Sequence, residues 1–126
     1  MMNNIAVLLP YKDQFIKDNA GSASIWVKDF SKDSKLKKNT TIFGYTSNVS
    51  KTFDNFNYVN LKFSNFGVQS KNLKYVNKFI DVLNKKKFSL IEIHNRPSYI
   101  LHIEKNLPNQ KYILVIHNNP QTLRGA

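Results

Sequence analysis

Cysteine is absent from this 126-residue chain. Disulfide scaffolds, thiolate metal sites, zinc fingers and cysteine nucleophiles are therefore excluded. No apolar run approaches the roughly 20 residues that span a bilayer; the longest, Ile5 to Pro10, ends at a proline. No basic segment followed by an apolar one and a small-residue cleavage site opens the chain, so a cytoplasmic location is the expectation. Acidic residues are few, eight against 19 basic ones, for a formal charge of +11. Arginine is nearly missing too: Arg96 and Arg124 stand beside 17 lysines.

That imbalance has two readings. A charge of this size suits an acidic partner, such as an anionic membrane face or a phosphorylated ligand. The same Lys/Asn/Ile/Phe-heavy composition is what an AT-rich coding sequence produces on any fold. Base reading favours arginine forks over lysine point charges, and no nucleic-acid-binding motif is present, so a polynucleotide partner is not expected.

Hydrophobic residues make up 41% and aromatics 13%, enough to build the core of one domain spanning residues 1–126. Asn4 to Leu9 reads as a strand buried on both faces. Ser22 is placed to cap a helix carrying Ala23, Ile25, Trp26, Val27 and Phe30. Thr40 to Tyr45 is a second strand, and Tyr58 to Phe63 a third whose alternation suits an edge. Lys71 to Lys85 has a clear helical period, with Leu73, Val76, Phe79, Ile80 and Leu83 on one face. Phe88 to Ile93 is a strand. Pro97 opens a helix that closes before Pro108, and Tyr112 to Ile116 is the last strand.

The order β-α-β-β-α-β-α-β predicts an α/β fold: a Rossmann-like, mostly parallel sheet with helices on both faces. Ligands in such sheets bind outside the carboxyl ends of the strands, here residues 10–21, 94–97 and 117 onward. The last strand reads as a buried one, yet nothing after it in this chain would cover its outer edge. We therefore expect the domain to be the N-terminal part of a longer polypeptide.

Three segments are candidates for chemistry. The loop at Gly21 and Ser22 brings small residues to a helix N-terminus, where free N–H groups can meet a phosphate or carboxylate. Gly21 stands alone, so neither the dinucleotide fingerprint nor the phosphate loop is present; an ordinary capped turn is the plain alternative. His94-Asn95-Arg96-Pro97 and His117-Asn118-Asn119-Pro120 end two strands that should lie side by side. Two His-Asn pairs facing one crevice suit a hydroxyl-rich ligand. His102 sits mid-helix and reads as structural. Glu92 and Glu104 do not cluster with the histidines by sequence spacing, so no metal site is expected.

At these strand ends the sequence resembles a known family. Ile116-His-Asn-Asn-Pro-Gln-Thr-Leu-Arg-Gly125 resembles the segment after the fifth strand in the N-terminal domain of family 4 (group 1) glycosyltransferases of the GT-B fold. His94-Asn-Arg-Pro97 looks like the preceding strand-end loop of those enzymes, and the spacing through Gly21-Ser-Ala-Ser24 is similar. The resemblance implies a two-domain, metal-independent, retaining transferase acting in surface polysaccharide biosynthesis. Its donor would be a nucleotide-sugar, its acceptor a glycan or lipid-linked glycan, and its place of work the cytoplasmic face of a membrane. By that analogy His117 would sit at the reacting centre and Gly21 and Ser22 would approach the donor phosphates. His94, Asn95, Arg96, Asn118, Asn119, Gln121 and Arg124 would contact substrate. Asn119 stands where relatives often carry aspartate, and Ala20-Gly21 replaces a glycine pair. The donor domain, with its pair of glutamates, is not within these 126 residues, so the chain by itself should not transfer sugar. The alternative is a stand-alone Rossmann-like module that binds a nucleotide or other anion without catalysis.

Overall fold

The computed structural model describes residues 4–32, 37–64 and 66–117. They form five strands and three helices: β1 (Ile5–Leu8), α1 (Ser22–Ser31), β2 (Thr40–Gly44), β3 (Asn57–Asn60), α2 (Lys71–Lys85), β4 (Leu90–His94), α3 (Pro97–Asn106) and β5 (Tyr112–Val115). All the strand pairs are parallel, in the order β3-β2-β1-β4-β5. The fold is thus α/β and Rossmann-like. Strand order reverses between β1 and β4, since the chain leaves β1 for β2 on one side and reaches β4 on the other.

Alternation along the strands divides the core in two. Val7, Leu9 and Ile42 point to one face and pack with Phe15 and with Ala23 and Val27 of α1. Ala6, Leu8, Phe43, Ile91 and Ile93 point to the other face, against Tyr75, Val76 and Phe79 of α2 and Tyr99 and Ile103 of α3. Removing side chains of this size from water stabilises the fold by about 1.5–3 kcal/mol each. Tyr75, which the helical period did not single out, is fully buried, and its hydroxyl donates to the Leu9 carbonyl oxygen at 2.6 Å. That bond ties α2 to the end of β1 at the topological switch.

Helix starts follow local chemistry with one exception. Ser70 caps α2 by accepting the Leu73 N–H at 3.1 Å, and Pro97 occupies the first turn of α3. At α1 the expected cap, Ser22, lies inside the helix instead. Gly21 takes the cap position without a side-chain bond of its own, and the capping group comes from Asp13.

β3 is a half-exposed edge, as its alternation suggests. β5 departs from its apolar reading. None of its four residues is buried, and Ile113 is 46% exposed. Among the described residues β5 is the outermost strand, and α1 lies over β1 and β2 rather than over β5. No helix among the described residues is long and apolar enough to cross a membrane.

Candidate functional site

The site forms where β4 and β5 end beside α1. His94 is the last residue of β4, in register with Val115 of β5. Residues two apart on a strand share a face, so Val115, and with it His117 beyond the strand end, come up on the side of the sheet that carries His94. The two rings stack with centroids 5.0 Å apart and planes 11° from parallel. Nδ1 of His94 lies 2.8 Å from Nε2 of His117.

The same two-residue period brings in Glu92. Its Oε2 is 2.7 Å from Nε2 of His94, which corrects the expectation that neither glutamate meets a histidine. The spacing along β4 already held this signal; treating the histidines as loop residues concealed it. Glu104 remains apart on α3. Among the described residues no group of three or more potential ligands could hold a metal ion.

Asn95 holds the backbone beneath His117. It adopts a left-handed conformation with φ 56°, which asparagine tolerates better than most residues. Its N–H donates to the Val115 carbonyl at 2.9 Å, and its Oδ1 accepts the His117 N–H at 2.7 Å. His94 is 0% and Asn95 3% exposed. Both therefore act on His117 from below, and the direct ligand contact expected of them is not available in this arrangement. Arg96 turns back to the Asn95 carbonyl, with its Nη1 at 2.7 Å. Asn118, Asn119, Gln121 and Arg124 lie outside the described residues.

α1 supplies the opposite wall. Trp26, one turn after Ser22, places its ring centroid 5.3 Å from both histidines and stacks on Phe30 at 4.7 Å. An open cleft of about 620 Å³ lies among Ser22, Ile25, Trp26, Asp29, Phe30 and His117. It joins an aromatic shelf to a hydroxyl, a carboxylate and an imidazole. Sequence reading gave Trp26 to the core, where the helical stripe leads. The partner that draws it to the site is 91 positions away.

His117 sits below the ordinary imidazole pKa. Burial is the main cause and the His94 ring adds to it, while Asp13 and Glu92 pull the other way. His102, by contrast, bonds Asn77 at 2.8 Å and joins α3 to α2.

The N-terminus of α1 already holds an anion. The Asp13 carboxylate accepts from the Ala23 and Ser24 N–H groups, each at 3.0 Å, and from the Ser24 hydroxyl at 2.6 Å. A Cβ on Gly21 would overlap that carboxyl group, so the glycine admits the protein's own acid. A donor phosphate expected here would have to displace Asp13. Ser22, by comparison, is exposed and lines the cleft.

Compared with protein-family models, with curated proteins and with solved structures, the chain matches none.

Proposed function

We propose that residues 1–126 are the acceptor-side, Rossmann-like part of a retaining glycosyltransferase. In this reading the enzyme moves a sugar from a nucleotide-sugar to a glycan or lipid-linked acceptor in surface polysaccharide biosynthesis, at the cytoplasmic face of a membrane and without a metal. The observation that carries the reading is the cleft at His117. Its Trp26–Phe30 shelf can lie against the apolar face of a sugar ring, while Ser22, Asp29 and His117 meet the hydroxyls around the ring edge. The sequence resemblance at 94–97 and 116–125 supports the same assignment. His117 is then the residue beside the reacting centre.

The rival reading, a module that binds nucleotides or other anions through the start of α1, is disfavoured because Asp13 fills that position. The reading requires a donor-binding domain joined to this one. Its test is sugar transfer by the full-length gene product across a panel of nucleotide-sugars. His117→Ala should lose activity on the order of 10²-fold, the scale of a positioned proton-handling side chain. A full-length product that transfers no sugar, or a variant as active as the parent, counts against it.

A further inference from the structure

Glu92, His94 and His117 form one hydrogen-bonded line running from the flank of β4 into the cleft. We infer that Glu92 and His94 are positioning residues that fix His117 in the tautomer protonated on Nε2, so that its Nδ1 faces ligand as an acceptor. The assignment to a sugar hydroxyl rests on the proposed transferase reading; the tautomer does not.

A carboxylate only accepts, so the contact at 2.7 Å places a hydrogen on Nε2 of His94. With that ring neutral, its Nδ1 is a lone pair. The 2.8 Å contact to His117 then needs a hydrogen on Nε2 of His117. A neutral His117 is left with its lone pair on Nδ1, which has no partner among the described residues. Three features make the line rigid. His94 is 0% exposed, Trp26 packs against both rings, and Asn95 fixes the His117 backbone. Such outer partners set which nitrogen of a working histidine is free. The charged and titratable groups around His117 are Asp13 after β1, Asp29 on α1, and Glu92 and His94 on β4.

The tautomer can be read without any ligand from imidazole ¹⁵N shifts of the full-length protein at neutral pH. The acceptor-type signal should fall on Nδ1 of His117 and the donor-type signal on Nε2. Glu92→Gln keeps an acceptor for His94 and should preserve that pattern, while lowering the His117 titration midpoint as a nearby negative charge is lost. His94→Phe keeps the stacked ring, deletes the acceptor, and should release His117 to a mixture of tautomers. An acceptor-type signal on Nε2 of His117 in the parent, as a cationic His94 would produce, overturns the inference. So does an unchanged pattern in His94→Phe. Because these measurements need no substrate, they stand even if full-length protein transfers no sugar. That second outcome sinks the transferase reading alone.

Discussion

Removal of the Asp13 carboxylate tests how the start of α1, and with it one wall of the cleft, is held. That side chain satisfies two backbone N–H groups and a hydroxyl on a serine that is wholly buried. Loss of a helix cap costs about 0.5–2 kcal/mol. Loss of a negative charge at a helix N-terminus costs about 0.3–1 kcal/mol more. The Ser24 hydroxyl is not orphaned by the change, since it also donates to the Asp13 backbone carbonyl at 3.3 Å, so its share is small. Asp13→Ala should therefore lose about 1–3 kcal/mol, and Asp13→Asn, which keeps one acceptor, roughly half of that. In urea, with a slope near 2 kcal/mol/M, the Ala variant should unfold about 0.5–1.5 M earlier. The vacated helix start should then accept an external anion, so sulfate should stabilise Asp13→Ala more than the parent. A variant within about 0.5 kcal/mol of the parent, and no more responsive to sulfate, would refute the idea that this acid occupies an anion site.

Tyr75→Phe leaves the Leu9 carbonyl without its 2.6 Å donor in the interior and should cost about 1–3 kcal/mol in a denaturant titration; a cost near zero would mean that this bond does not secure α2 to the switch. His117 is held below its ordinary value of 6.5, so the fold favours its neutral form. The stabilisation is present above pH 6.5 and is lost as pH falls through the folded value, because the unfolded chain then binds the extra proton. The parent should therefore lose stability faster than His117→Ala on acidification from pH 7, and equal slopes would contradict this. Between Asp54 and Asp81 the chain carries Lys62, Lys71, Lys74 and Lys78 without an acidic residue, and Phe66 and Val68 stand 89% and 104% exposed in the same stretch. This stretch, the loop before α2 together with the first turns of that helix, should bring the protein down with phosphatidylglycerol vesicles in a salt-sensitive way, at about 1 kcal/mol per lysine near the surface. Phe66→Ser with Val68→Ser should weaken it, and equal binding to neutral vesicles would remove the electrostatic part of the argument.

Much of this architecture is legible in the sequence because its signals are local. Short apolar runs place the five strands, a period of 3.6 places α2, and Pro97 marks the start of α3. The adjacency of His94 and His117 follows from two strands ending in similar polar loops. What escapes is set by long-range geometry. Asp13 caps a helix that begins nine residues later, and no spacing rule connects the two. Trp26 sits on an apolar stripe that looks like ordinary core until β5 ends beneath it. β5 itself is apolar enough for a buried strand, yet as the outermost strand among the described residues it leaves Ile113 half exposed. Glu92 is the instructive case, since the strand period that places His94 also places Glu92 on its face.

The central claim, that the cleft at His117 is the ligand site, can be tested with the protein's own reporter. Trp26 is the single tryptophan of these 126 residues, and it touches His117 and lines the cleft. Its fluorescence should change saturably as glycan acceptors or their lipid-linked analogues are added, and His117→Ala should weaken the response. Ligand binding that leaves Trp26 silent, and maps instead to the basic pocket of Lys62, Lys78 and Lys85 beside α2, would contradict the account.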